Sequence, residues 1–382
     1  MTVRIVGMNE TLRRVLVVGG GIGGMAAAIV LRRQQVAVDL IDIDPEWKVY
    51  GAGITITGPT LRAFRDLGVL DAIAEHGFFT TAQKLFFYDG TPMAEREQHP
   101  VAPGLPSAGG IMRPRLHMIL SGEVRRLGAN VRLGLTVERI ENNGGGARVM
   151  FSDGSRAEYD LVIGADGIYS RVRELLFPDA MQPVYTGQMS WRVVAPRPAD
   201  MDKGEFFFGH RNVGGINPCS QSEVYAFILH PEPDPRRIPA AEQASVLRGL
   251  MRDFGGSMGR IRDGITERSS IVQRPFEYAL QPRPWNIGHT ILIGDAVHAT
   301  TPHLASGAGM AVEDAIVLAE ELARPGCSIE SALAAFTERR FERCRFVVDS
   351  SVEIGRRQLE LAPAEEIGMR MGKGLAVLAQ PI

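Results

Sequence analysis

A chain of 382 residues with 45% hydrophobic content is long enough for roughly two or three domains with sizeable cores. Its formal net charge of −2, without any basic run, argues against a nucleic acid or a membrane surface as partner. The three cysteines (Cys219, Cys327, Cys344) are widely spaced with no Cys-x-x-Cys, which argues against a disulfide framework or a structural zinc site.

Residues 1–13 read as a short extension ahead of the first domain, with no leader-like or bilayer-length apolar segment, so the cytoplasm is the expected location. Val15-Leu16-Val17-Val18 then meets Gly19-x-Gly21-x-x-Gly24, a small-residue helical stretch follows, and a second apolar strand ends at Asp42. That order is a complete βαβ unit of the dinucleotide-binding type. Gly19 permits the tight turn, Gly21 lets backbone approach a pyrophosphate, and Gly24 lets helix pack closely on strand. The pyrophosphate would rest on free N–H groups at the helix N-terminus, and Asp42 would accept hydrogen bonds from a ribose diol. The motif alone leaves NAD and FAD both open.

Gly51 and Gly53 allow close backbone approach to a bulky group, or mark a simple turn. Leu61, Phe64 and Leu67 recur at helical spacing and predict a helix over 61–70. Leu85 to Phe87 with Asp89-Gly90 predicts a strand entering a hairpin, and 100–110 a loop. Pro114 suits a first helical turn, so Arg113 stands at a helix entrance, either reaching a phosphate or ribityl chain or solvated. Strands are expected at 131–133, 137–140 and 147–151. Tyr159 to Gly164 is an apolar strand running into Ala165-Asp166-Gly167, with Ser170-Arg171-Val172-Arg173 opening a helix. This delivers Asp166 to a strand's C-terminal end, where α/β ligands bind, unless it only forms an Asp-Gly turn.

From 181 to 283 the composition turns to strand-forming, aromatic and turn residues, which predicts a mainly antiparallel sheet with a helix near 241–254. Nucleotide-site character returns at His289 to Ala296, where a strand delivers Asp295 to its end, followed by a loop containing Pro302. Gly307-Ala308-Gly309-Met310 starts a helix whose N–H groups can hold a polarised oxygen. A further helix, rich in arginine, is expected over 332–351.

Taken in order, Gly19-x-Gly21-x-x-Gly24 with Asp42, Gly164-Ala165-Asp166-Gly167 with Ser170, Arg171 and Arg173, and Gly294-Asp295-Ala296 with Pro302 and Gly307-Ala308-Gly309 resemble the single-component FAD-dependent aromatic hydroxylases. These class A flavoprotein monooxygenases include p-hydroxybenzoate and salicylate hydroxylases, and the resemblance covers roughly residues 14–345. It implies an α/β fold: a Rossmann-like FAD-binding domain (βαβ, mixed parallel sheet) with an inserted, mainly antiparallel substrate domain and C-terminal helices. The expected division is 1–77, 111–180 and 284–345 for FAD, 78–110 and 181–283 for substrate, and 346–382 as a C-terminal helical segment.

Carried over residue by residue, the resemblance implies that Gly19, Gly21, Ile22, Gly23 and Gly24 hold the FAD pyrophosphate. Asp42 and Ile43 then lie at the adenosine ribose, and Val137 gives a backbone contact to adenine. Gly53, Ile54 and Arg113 would flank the flavin side, Asp295 the ribityl chain, and Gly307 to Met310 the flavin N1/O2 edge. Asp166 and Gly167 belong to a motif associated with both FAD and the nicotinamide cofactor. The implied reaction uses NADH or NADPH to reduce FAD, adds O2 at flavin C4a, and passes an OH from the hydroperoxide to an activated aromatic or N-heteroaromatic ring.

Candidates for the reacting site are His210, Tyr225, Thr55 and Pro302, the first three equally able to be structural residues. Departures from the family pattern are Asp at 42 where Glu is commoner, Thr301-Pro302 for Pro-Pro, and Gly309-Met310 for Asn-Gln. Pro218-Cys219 with Asp234-Pro235-Arg236 points weakly to the branch acting on pyridine carboxylates. An FAD-dependent reductase or dehydrogenase, or a non-catalytic flavin redox sensor, is the alternative. A small aromatic substrate, NAD(P)H and O2 are the expected partners, and the chain is expected to be a monomer or homodimer.

Overall fold

The computed structural model describes residues 12–49 and 51–382, so most of the expected N-terminal extension, and Tyr50, lie outside the described residues. Among these, a six-stranded sheet runs in the order Asn286–Ile287, Thr290–Leu292, Leu161–Gly164, Arg14–Val18, Ala37–Asp42, Asn130–Leu133. All its neighbours are parallel except the first pair. Strand Arg14–Val18 therefore lies inside the sheet. Its apolar run is buried on both faces, as a central parallel strand requires.

The expected βαβ unit forms, with helix Ile22–Arg33 between strands Arg14–Val18 and Ala37–Asp42. Two glycines make it possible. Gly19 has φ +106°, and a Cβ there would come 2.3 Å from the Ala165 carbonyl oxygen. At Gly24 a Cβ would come 1.9 Å from the Gly19 carbonyl oxygen, so the helix can sit on its strand only without one. The helix then packs through Ala26, Ala27 and Ala28 into the core, and beside helix Gly307–Leu322, where Gly23 faces Ala311.

A seven-stranded sheet covers the C-terminal ends of the parallel strands. Its order is Ile271–Leu280, Val184–Pro196, Glu223–Pro231, Val213–Pro218, Gly204–Phe208, Ala82–Phe87, Pro92–Glu97. It is antiparallel except where Gly204–Phe208 meets Ala82–Phe87. One face packs on helices Ala240–Leu250 and Gly256–Asp263 through Met189, Trp191, Val193, Phe207 and Ile228. The other faces the parallel sheet.

Three predicted elements differ in extent. The helix expected over 61–70 is Gly58–Asp66, ended by Gly68 at φ +70°, and a second helix follows at Leu70–His76. The one expected near 241–254 is Ala240–Leu250, and a further helix, Gly256–Asp263, follows it from Gly256 at φ +59°. The arginine-rich helix extends over Ile329–Leu359, and helix Ala364–Ala379 follows it. Arg62 donates to the carbonyls of Leu378, Ala379 and Gln380 and Arg343 to that of Leu378, so two cations hold the negative end of the last helix. No described helix is long and apolar enough to cross a membrane.

Gly24→Ala is expected to destabilise the fold by about 2–3 kcal/mol, because backbone must move to admit the methyl group. Urea unfolding checks this, and an unchanged midpoint would place the helix farther from its strand.

Candidate active site

Between the ends of the parallel strands and the covering sheet lies a cavity of about 700 Å³. Gly21 and Ile22 line one end, strand Gly53–Thr57 and the 293–308 segment line the middle, and the covering sheet with helix Ala364–Ala379 closes the rest. It opens at the carboxyl ends of the parallel strands, where open α/β sheets take their ligands.

The Gly19–Gly24 turn is fixed by its neighbours. Gly20 N donates to Asp42 Oδ2 at 2.6 Å, Asp44 N donates to Asp42 Oδ1 at 2.8 Å, and Trp47 Nε1 donates to the Gly20 carbonyl at 2.9 Å. Asp42 thus braces the turn and keeps acceptor capacity for a diol. A Cβ at Gly21 would meet nothing within 4 Å, so its backbone is open to the cavity. Ile43, beside Asp42, is exposed, whereas Val137 is buried in the core. Gly53 lines the cavity and is closely packed: a Cβ there would come 2.3 Å from both Cys219 Sγ and a Tyr225 ring carbon.

Asp166 has a local task. Its carboxylate accepts from the Ser170 hydroxyl and, at 3.0 Å, from Val172 N, capping helix Arg171–Leu176. Burial pushes its pKa up against those bonds. Ala165 and Gly167, the latter at φ +84°, are the members of that motif that line the cavity. Arg173 is buried and donates to the carbonyls of Ala296 (2.8 Å) and Ile168 (2.7 Å), tying this motif to the turn that carries Asp295.

Asp295 itself opens into the cavity. Burial raises its pKa, while His298 and Arg113 pull it down. Arg113, at the start of helix Arg113–Arg126, lines the same space with its Nε buried and unpartnered. Burial foremost, then the Arg192 charge, lowers its pKa to about 10, leaving it cationic at neutral pH. Behind Asp295, the buried Asp314 accepts from Gly294 N (2.8 Å), His298 Nε2 (2.5 Å) and Arg340 Nε (2.8 Å). The His298, Asp314 and Cys344 ligand atoms lie within 4.8 Å of one another, but the Arg340 guanidinium already supplies the cation there.

At the start of helix Gly307–Leu322, Met310 N donates to the Ser306 carbonyl, so only the N–H groups of Gly307, Ala308 and Gly309 remain free. Met310 was expected to contribute its N–H here; the first helical hydrogen bond takes it. Pro302 lines the cavity just before them.

Where strand Gly53–Thr57 meets the covering sheet, Thr55 Oγ1 and Tyr225 Oη are 2.5 Å apart, and Asn217 Nδ2 donates to both, at 3.0 and 3.2 Å. Burial raises the Tyr225 pKa, so its hydroxyl stays protonated. Arg192 lines the cavity beside Tyr225 and makes no hydrogen bond or ion pair among the described residues. His303, its pKa lowered by burial to about 4, bonds Thr301 Oγ1 at 2.9 Å through Nδ1 and leaves Nε2 unpartnered.

His210 is a correction. It lies in the turn after strand Gly204–Phe208, its ring against Tyr88 and Phe254 and its Nε2 3.4 Å from Asp253. Those residues belong to the sheet's far side, so His210 is no candidate base. Sequence reasoning missed Arg192, Asn217 and His303. A signal existed for Arg192: Gln188, Ser190 and Arg192 are polar at every second position, opposite Met189, Trp191 and Val193.

The site fits a flavin dinucleotide: an open glycine backbone, free helix N–H groups, an orphaned arginine and an acid at a strand end are the donors and acceptors such a molecule needs. Residues 13–351 match the FAD binding domain family, and the chain belongs to it. It is a class A flavoprotein monooxygenase. It is 33% identical to the putative FAD-dependent monooxygenase YetM of Bacillus subtilis (strain 168), covering 97% of this chain and 100% of that one. It is 30% identical to the 2-heptyl-3-hydroxy-4(1H)-quinolone synthase of Pseudomonas aeruginosa (strain UCBPP-PA14), over 90% of this chain and 88% of that one. The fold matches Klebsiella pneumoniae HpxO complexed with FAD and uric acid, with TM-score 0.81 and 22% identity over 98% and 99% of the two chains.

Asp295→Ala is expected to purify with little FAD, read from the flavin-to-protein absorbance ratio; full occupancy removes that assignment. Gly21→Ala should keep wild-type unfolding behaviour while binding FAD more weakly. Asp314→Asn strands His298 and Arg340 and should cost about 3–5 kcal/mol in urea unfolding; a loss under 1 kcal/mol would show the network to be dispensable.

Proposed function

We propose that the protein hydroxylates an electron-rich aromatic or N-heteroaromatic ring of the hydroxybenzoate or hydroxypyridine type, using NADH or NADPH and O2. The observation that carries this reading is one cavity face holding the Thr55–Tyr225 hydroxyl pair and unpaired Arg192, set against Pro302 and the free N–H groups of Gly307 to Gly309. The quinolone named for one relative and the uric acid bound to the structural neighbour support an N-heteroaromatic ring.

FAD, when bound, supplies the acceptance of electrons from NAD(P)H and the activation of O2. The chain's own residues prepare the ring. Arg113 and Arg192 give the cavity a positive potential, so ionisation of a ring hydroxyl is favoured by charge. Thr55 and Tyr225 carry two hydroxyl protons, of which one lies between them. Asn217 only donates to the pair, so the second proton points to the cavity as a hydrogen bond for a ring oxygen. Gly307 to Gly309 N–H groups receive the negative edge of the cofactor. The covering sheet and last helix exclude water.

The test is NADH and NADPH oxidation with oxygen uptake and product mass across hydroxybenzoates and hydroxypyridines. A ring that speeds oxidation and gains one oxygen atom supports the proposal, and a wide panel without stimulation overturns it. Tyr225→Phe should lower substrate-stimulated turnover by at least about 10-fold at unchanged FAD content. In Arg192→Gln the acidic limb of the kcat profile should move to higher pH by about one unit, because removing a positive charge raises the bound ring hydroxyl's pKa. An unmoved limb would deny Arg192 that role.

A further inference from the structure

The register of the covering sheet lays out a row of cavity-side positions that a single ring does not fill. Arg192 stands opposite Phe227, Phe227 opposite Gly215, Gly215 opposite Phe206, and Phe206 opposite Leu85. Four steps of strand spacing make this row about 19 Å long. It begins with a cation and continues apolar. At Gly215 a side chain is excluded by Phe227, whose ring lies over that position and meets Phe206 edge-on at 5.9 Å.

The neighbouring rows differ in a consistent way. Two residues toward one side lie Tyr225 opposite Asn217 and Gln83 opposite Arg96, a polar band. Toward the other lie Leu229 opposite Val213 and Phe208 opposite Phe87, an apolar band. The facing wall is helix Ala364–Ala379, which lines the cavity with Ile367, Met371 and Leu375 at successive helical turns. Met371, with Met93 on the edge strand, gives the far half pliable walls suited to a flexible chain. That end opens at strand Pro92–Glu97, exposed along its whole length.

We propose that the substrate is an amphiphile: the ring lies at the Arg192–Tyr225 end, and an unbranched apolar tail runs along Phe227, Phe206 and Leu85 beneath Met371. This rests on the hydroxylase reading for the ring, and on the row for the tail. A ring covers about two strand spacings and leaves about 10 Å, the length of about eight methylenes. Longer tails reach solvent at the edge strand.

The experiment titrates FAD-loaded enzyme with 5-alkylresorcinols, methyl through undecyl, below micelle formation, following the flavin spectrum. The dissociation constant should fall about threefold to fourfold per methylene and level off near eight carbons. A constant independent of length overturns the tail. Leu85→Gln and Met371→Gln, both at the partly open far end, should each reduce the nonyl-to-methyl affinity ratio at least 10-fold; a wild-type ratio in both overturns this placement. Oxygen uptake, followed in the same titrations and with unsubstituted hydroxypyridines, judges the ring chemistry separately: no uptake with any ring overturns the hydroxylase reading, while the length dependence of binding still decides the tail.

Discussion

Everything at the cofactor end of the cavity depends on one buried carboxylate. Asp314 has no exposure to solvent and is held by a backbone N–H and an imidazole from the 294–298 turn and a guanidinium from helix Ile329–Leu359. Next to it, Glu313 accepts from Arg340 at 2.8 Å and from Arg343 Nη2 and Nε at 2.8 and 2.9 Å. Opposing charges in a dry interior are strongly coupled, and the pair shows it: the Asp314 pKa falls to about 2 while that of His298 rises. Such a network adds little net stability over an apolar core, but it tolerates only one arrangement. That arrangement fixes Gly294 at φ +59° and so points Asp295 into the cavity from the end of its strand. It also joins the cofactor-facing helix Gly307–Leu322 to helix Ile329–Leu359, on which the last helix is carried.

The half of the site built from turns was legible in the sequence. Gly19, Gly24 and Gly294 occupy positions where backbone geometry admits little else, and Asp295 follows its strand immediately, so residue type and order together located them. The half built from strands was much less so. Tyr225 and His210 look alike as candidate acids or bases in a strand-rich stretch, yet one faces the cavity and the other is turned outward. Period-two alternation says which residues share a face but not which face meets the ligand, because that depends on how the sheet docks. Arg192 shares this difficulty. Its Gln188-x-Ser190-x-Arg192 pattern marks a polar face, and only the docking of the sheet over the parallel strands makes that face the cavity wall. Helix extents failed for a further reason: Gly68 follows the end of one helix and Gly256 opens another in a left-handed conformation, which glycine permits at many places but adopts only where the packing demands it.

The covering sheet also shows how one surface can serve two needs. Its outer face is a conventional core against two helices, closed by Trp191 and Phe207. Its inner face is banded, polar where Tyr225, Asn217 and Gln83 follow one another and apolar one row over. Adjacent same-face rows are two residues apart along each strand, so a ligand spanning them meets hydrogen-bond donors on one side and aromatic rings on the other. Such a surface fixes the rotation of a planar ring as well as its position.

Arg113 and Arg192 complete the argument. Each lines the cavity, each has its pKa lowered first by burial, and the Arg192 charge lowers that of Arg113 further. Two like charges without a protein acceptor are costly to enclose, and the chain offsets that cost only in part, through Asp295, itself held back by burial. The remainder must come from what binds. A dinucleotide brings a pyrophosphate and an electron-accepting ring whose reduced form is anionic, and an ionised ring hydroxyl brings a second negative charge. A cavity so charged favours anionic groups over their neutral counterparts, which makes the same two arginines a determinant of what it binds.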